Sequence, residues 1–333
     1  MTNIVLVGAG HAHIVVLRHF AKHRPNARVT LINDTERAKY TGALPALIRG
    51  EITRKQASID LVQLTKSCGA SFVRARYAGF EGNKVRLENG KLVEFDRLSI
   101  STGAKPSVSS VKPIRRLTDR IDHWDRLPAP KIGVIGGGAA GVEIVLALRA
   151  RLNRHAKIHL QIGRQQLLPN APRRARIIAL EALKTAGISV NKSLPLPIDD
   201  VIEAYTPEPD IAVRPTLQLL DRDDVFAAGD CAAFPKPLPR SGAIAVRQGK
   251  ILAYNLTHKK LKNFRPPRRT LAILSLSPTR AVAWYGSFCW AGWLPMLLKK
   301  WLDQSWLQTI WRKNKPPRPP HQSRPNLRGL KKA

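Results

Sequence analysis

The chain has 333 residues, 44% of them apolar, with 56 lysines and arginines against 23 acids, a formal net charge of +33. The length suits two domains or one domain inserted in another, and the charge favours anionic partners or a solvated basic surface. Three scattered cysteines, Cys68, Cys231 and Cys289, make no CxxC or zinc spacing, which excludes a disulfide scaffold and fits a reduced compartment.

Residues 4–7 form an apolar run that reads as a buried strand, and Gly8-Ala9-Gly10 follows it directly. A helix is expected from 9 to about 20 and a second strand over 28–32, a compact βαβ opening. Tight glycine turns let a backbone approach a pyrophosphate, and the helix N-terminus supplies N–H donors and positive dipole. At the end of the second strand, Asn33-Asp34 stands where an acid often binds ribose hydroxyls; an ordinary strand-end turn is the equal alternative for Asp34. The chain is already in this motif by Gly8, so removal of a leader there would destroy the fold.

Tyr40-Thr41-Gly42-Ala43-Leu44-Pro45 is a glycine–proline loop. Residues 70–100 alternate apolar and polar, with Glu88-Asn89-Gly90 as a hairpin turn, and 98–103 return as a strand ending in Thr102-Gly103. Prolines at 113, 128 and 130 mark a boundary. A second unit then opens with an apolar strand over 132–135 and a second fingerprint, Gly136-Gly137-Gly138-Ala139-Ala140-Gly141, entering a helix. Its own second strand, 157–162, ends at Gly163-Arg164. An arginine there either receives a nucleotide 2′-phosphate or is a solvated surface residue. A basic helix and short strand are expected over 173–190. Residues 225–230, Val-Phe-Ala-Ala-Gly-Asp, restore strand logic, and 242–256 read as a helix.

The C-terminal region differs from the rest. Six of the seven tryptophans lie between Trp284 and Trp311, interleaved with leucines and flanked by Lys299, Lys300, Arg312 and Lys313. Two short strands are expected over 281–285 and 288–291, then a helix over 293–311 lying at an anionic membrane surface. The alternatives are packing on the protein's own core or on a second copy. Residues 281–298 carry no charge and reach the length of a spanning segment, but glycines and Pro295 interrupt them. The tail from 312 has eight cations, five prolines and no acid, and is expected to be disordered.

These segments together resemble the two-dinucleotide-binding flavoproteins of the pyridine nucleotide-disulfide oxidoreductase type. The likeness is to type II NADH dehydrogenases and, nearer still, to the flavoproteins fused to selenide, water dikinase. It is carried by Gly8-Ala9-Gly10-His11-Ala12-His13, the loop at 40–45, Thr102-Gly103, the second fingerprint with Gly141-Val142-Glu143, Gly229-Asp230, and Arg247-Gln248-Gly249 with Asn255. It implies an α/β fold of two Rossmann-like domains, with the NAD(P) domain inserted in the FAD domain. The implied segments are 1–128 and 213–270 for FAD, 131–212 for NAD(P), 271–311 for a hairpin and amphipathic helix, and 312–333 for the tail.

The resemblance also implies roles. FAD would be held by Gly8, Gly10, His11, Asp34, Thr102, Gly103 and Asp230. NAD(P)H would be held by Gly136, Gly138 and Gly141, with Glu143 and Gln248 as the catalytic pair beside the flavin. The implied activity is electron transfer from NAD(P)H through FAD to a quinone, by a protein peripheral on the inner face of the cytoplasmic membrane. The competing reading is a basic flavin-holding or apo scaffold that binds anionic partners; nucleic acid is not the expected partner.

Three departures stand out. His13 replaces the third glycine of the first motif, so the helix is expected to pack less closely on its strand. No metal is expected from His11 and His13, because positions i and i+2 do not share a helix face. The Cys-x4-Cys of disulfide reductases is absent from residues 40–50. Between Val190 and Asp224 the family's β-meander and Thr-Gly turn are missing, so the NAD(P) domain is expected to be shortened, with weak NADH use.

Overall fold

The structure, a computed structural model, describes residues 1–104, 114–152, 154–164, 166–205 and 208–311. The tail expected to be disordered lies outside them.

Two parallel sheets organise the chain. The first has the order Val225–Ala227, Arg97–Ile100, Thr2–Val7, Ala27–Asn33, Ser71–Arg74, with every neighbouring pair parallel. Ile4, Val5, Leu6 and Val7 are all buried, because a central parallel strand is covered on both faces, and this explains the unbroken apolar run. Helix His11–His23 packs on the sheet and on helix Gly242–Asn255. The contact is close at Gly249, where a Cβ would lie 2.6 Å from the Ala12 carbonyl oxygen.

The second sheet has the order Ser189–Asn191, Lys157–Gln161, Lys131–Ile135, Asp200–Glu203, again parallel throughout. Its sequence lies between the strands Arg97–Ile100 and Val225–Ala227 of the first sheet, so the second unit is inserted in the first. Among the described residues no antiparallel meander follows Asp200–Glu203. The chain returns at once, and Ile211–Ala212 pairs with Ala232–Ala233 beside the first sheet.

In each sheet the fingerprint strand is flanked on one side by the next strand and on the other by a later one. The strand order reverses there, which opens a crevice at the carboxyl ends. The turn at Glu88-Asn89-Gly90 joins strands Lys84–Leu87 and Leu92–Glu94, with Gly90 at φ +78°. Strands Leu271–Ser275, Ala281–Tyr285 and Phe288–Gly292 make a third, antiparallel sheet. Its Leu274, Val282 and Cys289 join the core of the inserted unit, with Trp124 and Val145. Helix Trp293–Trp311 closes the described chain. No helix among the described residues is long and apolar enough to cross a membrane.

Candidate active site

The first glycine loop is fixed by close backbone contact. Gly8 sits at φ +86°, and a Cβ on Gly8 or Gly10 would lie 2.6 or 2.7 Å from the Ser101 carbonyl oxygen. Gly10 N donates to that oxygen at 3.0 Å, and Ala9 N donates to Asn33 Oδ1 at 3.1 Å. Only glycine permits this approach. Helix His11–His23 starts from Gly10 with no side-chain cap, as helix Ala139–Arg151 starts from Gly138. By contrast, Asp60 and Ser241 cap the helices that follow them. Two uncapped N-termini behind glycine turns leave first-turn N–H groups for an anion. A Cβ on Gly138 would meet nothing within 4 Å, so that turn faces open space, whereas one on Gly141 would lie 1.8 Å from the Gly136 carbonyl oxygen.

A cleft of about 1140 Å³ runs across the first crevice and reaches the second unit. That is at or above the upper end of the ~300–1,000 Å³ range of small-ligand pockets. Gly8, Gly10, His11, Asp34, Thr102, Gly103 and Asp230 line it, and so do Ala140 and Glu143 from the second unit. The cleft therefore gathers segments separated by more than a hundred residues. Its volume and the first helix start fit a dinucleotide such as FAD, whereas Gly136, Gly138 and Gly141 of the second fingerprint do not line it.

Gln248 takes a different place. It is 2% exposed and absent from the cleft's lining, and its Oε1 accepts from Gly229 N at 2.7 Å. It buttresses the turn that presents Asp230. His13 is also withdrawn. Its ring fills the space under the glycine loop, with Nδ1 2.6 Å from Gly8 O and Nε2 2.8 Å from Ser99 Oγ. Burial pulls its pKa down to about 4, so the neutral ring donates to the carbonyl and accepts from the hydroxyl.

Around Glu143 lies a cluster that the sequence did not announce. Glu143 Oε1 accepts from Ser275 N at 2.8 Å and lies 4.0 Å from Lys299 Nζ. Lys299 Nζ donates to Gly42 O at 2.9 Å and to Asp303 Oδ2 at 3.1 Å, and Tyr40 OH donates to Asp303 Oδ1 at 2.8 Å. Burial raises the pKa of both carboxyls against the lowering effect of Lys299. Burial, then the Asp303 charge, raises that of the Tyr40 hydroxyl.

This cluster corrects two expectations about the C-terminal helix. Lys299 is not a headgroup-facing cation: its side chain is 12% exposed and turned inward, because the loop carbonyl and Asp303 satisfy it there. Trp306 does not face outward either. It stacks on His11 at 5.4 Å, with the Arg18 guanidinium 4.2 Å over its ring. Leu294, Leu297, Trp301 and Leu302 do form an outward apolar stripe.

The sequence family described as pyridine nucleotide-disulphide oxidoreductase matches residues 2–193, more than half the chain. Demethylphylloquinone reductase NdbB of Synechocystis is 23% identical over 225 residues, covering 61% of this chain and 53% of that protein. Matches to the first three curated relatives span 24% to 53% of their own length. Among solved structures, the sulfide:quinone oxidoreductase of Aquifex aeolicus aligns with TM-score 0.78 at 15% identity, over 94% of this chain and 92% of that one. NDH2 of Plasmodium falciparum, solved with NADH, aligns with TM-score 0.75 at 13% identity, over 94% and 98%. These likenesses carry the fold.

Proposed function

Since the chain belongs to the pyridine nucleotide-disulphide oxidoreductase family, we propose that it is an FAD-dependent enzyme that oxidises NAD(P)H and delivers the electrons to a quinone. The observation that carries this reading is the one cleft lined by the first glycine loop, Asp230 and, from the second unit, Glu143, behind which Lys299, Asp303 and Tyr40 are linked. FAD would lie along Gly8, Gly10, Asp34, Thr102, Gly103 and Asp230, and the nicotinamide nucleotide against Gly136, Gly138 and Gly141. Bound there, the flavin supplies the chemistry, accepting a hydride and releasing electrons.

The chain's own residues orient and protonate. The helix N-termini at His11 and Ala139 hold phosphates, and the Ser101–Gly103 turn closes over the cofactor. Quinone reduction consumes protons, and Glu143, Asp303 and Tyr40 are groups whose raised pKa values make them hold protons more readily than solvent-exposed counterparts. Lys299 ties this cluster to the C-terminal helix. The names of NdbB and of the Aquifex enzyme support a quinone as acceptor. Thiol relays have no support: Cys231 is buried, and burial lifts its pKa to about 11. We further place the protein at a membrane surface, through the outward face of its C-terminal helix.

The test is spectroscopic. The purified protein should be yellow, should bleach when NADH or NADPH is added anaerobically, and should regain colour on adding a short-chain quinone. Gly10→Val should release the flavin, because a branched side chain there meets Ser101. A colourless protein, or a flavin that neither nucleotide reduces, refutes the enzyme reading and favours a scaffold.

A further inference from the structure

The two fingerprints of this chain end in opposite electrostatic surroundings. After the first, the second strand ends at Asn33-Asp34, an acid at the position that meets a ribose. After the second, the equivalent strand Lys157–Gln161 ends at Ile162-Gly163-Arg164. From Glu143 to Glu181 the sequence contains no acid between them and eight lysines and arginines. A ribose with a free 2′-hydroxyl is ordinarily held by a carboxylate at this strand end. A carboxylate is what this region lacks.

The geometry points to a second nucleotide site selective for a 2′-phosphate, that is for NADPH over NADH, with Arg164 as the residue that reads the phosphate. This rests on the reading of Gly136–Gly141 as a nicotinamide nucleotide site.

Four observations support it. First, the strand end lies against the fingerprint: a Cβ on Gly137 would lie 3.1 Å from Ile162 Cβ, and Leu168 N donates to Gly137 O at 2.7 Å. Second, Gly163 takes φ +64°, so the chain turns out of the strand and presents Arg164 as an exposed side chain. Third, Ile162 N donates to Asn191 O at 3.0 Å, which brings the next strand's end, and the exposed Lys192 after it, alongside. Fourth, some basic residues here are tied to the protein's own groups. Arg149 donates to the carbonyls of Leu152 and Ala156, and Arg151 pairs with Asp125 at 2.9 Å. Others, Arg154, Lys157, Arg173 and Arg174 included, have no carboxylate partner among the described residues; of these only Arg164 and Lys192 lie just past the strand ends. They are held at the carboxyl edge of the sheet with their charge uncommitted.

A guanidinium matches a phosphate with paired donors and keeps its charge at any working pH. A 2′-phosphate adds nearly two negative charges where the hydroxyl has none. Hydrogen bonds to a charged group of this kind correspond to a preference of about 10- to 100-fold. Because Arg164 is exposed, the preference should weaken as salt rises.

The test uses nucleotides without a nicotinamide, so that binding is read apart from turnover. The purified full-length protein, with its flavin, is titrated calorimetrically with 2′-phospho-ADP-ribose and with ADP-ribose. The phosphorylated ligand should bind about 10- to 100-fold tighter at low salt. Arg164→Gln should reduce that ratio to about threefold or less while leaving ADP-ribose binding unchanged, and Arg164→Asp should invert it. Arg164 is exposed, so these variants should fold, and unchanged flavin occupancy checks that they do. Equal affinity for the two ligands, or a preference that survives Arg164→Gln, overturns the proposal. If neither ligand binds a flavin-loaded protein, the second fingerprint is not a nucleotide site, and the reading beneath the proposal falls with it.

Discussion

His13 shows how a departure from the glycine pattern is accommodated at the scale of one residue. A glycine at this point of the motif serves close helix–strand packing. Here the imidazole occupies the space and ties Gly8 to Ser99, joining the cofactor loop to the neighbouring strand. The arrangement needs a neutral ring. With the folded pKa depressed to about 4 against an ordinary value near 6.5, the unfolded chain binds the proton more tightly. The stabilisation is therefore complete above about pH 6.5 and is lost as pH falls towards 4, by roughly 3 kcal/mol in all. Thermal melts across that range should show the decline, and His13→Gln should flatten it. A wild-type slope identical to the variant's would mean that other groups set the acid limit. Glu143 carries the opposite sign. Its pKa is raised in the fold, so stability is present below the ordinary carboxylate pKa and is lost as pH rises through the folded one. Glu143→Gln keeps an acceptor for Ser275 N, and the melting temperature of this variant relative to wild type should climb from acid to neutral pH. A constant difference across that range would count against a desolvated carboxyl.

At the scale of elements, glycine turns and chain punctuation were the readable part. Gly8, Gly10 and Gly141 admit no side chain for steric reasons, so they marked both strand–helix junctions in the sequence itself. Glu88-Asn89-Gly90 marked a hairpin for a similar backbone reason. The C-terminal helix was readable in extent and not in orientation. Periodicity gave an apolar stripe, but the partner of the opposite face is the loop at Tyr40 and Gly42, more than 250 residues earlier. No local pattern tells a lysine bound for solvent from one bound for a distant carbonyl. The partner of Gln248 is equally out of reach of local pattern, because Gly229 N belongs to a turn on another element. Gly249, beside it, reads in the sequence only as part of a motif, and in the structure it serves packing. A Cβ there would meet Ala12 O at 2.6 Å and Val15 Cβ at 2.8 Å. Gly249→Ala should push the two helices apart and cost about 1–3 kcal/mol, measurable by denaturant unfolding. A neutral result would show that the helix pair slides freely.

At the scale of the whole molecule, the C-terminal helix is apolar on two sides: Met296, Trp306 and Leu307 pack inward beside Lys299 and Asp303, while Trp293, Leu294, Leu297 and Trp301 point outward. Trp293 and Trp301 are each 62% exposed, and Phe288 of the adjacent strand is 67% exposed. Several large apolar side chains exposed on one element point to a contact. The net charge of +33 favours an anionic surface over a neutral one. Each basic residue near such a surface contributes about 1 kcal/mol at low salt, and each fully buried large side chain about 1.5–3 kcal/mol. Binding to anionic vesicles should therefore need both terms. Deleting the helix would also remove Lys299 and Asp303 from the site, so point changes on the outward face are the cleaner probe. Leu297→Ser with Trp301→Ser should reduce co-sedimentation with anionic vesicles at least about tenfold, with flavin content and NAD(P)H-dependent bleaching unchanged. High salt should weaken the wild type, and neutral vesicles should bind it poorly. If the double variant sediments as well as wild type, the helix is not the membrane contact. If wild type instead dimerises in solution and the same two changes abolish the dimer, the apolar face belongs to a second copy of the chain.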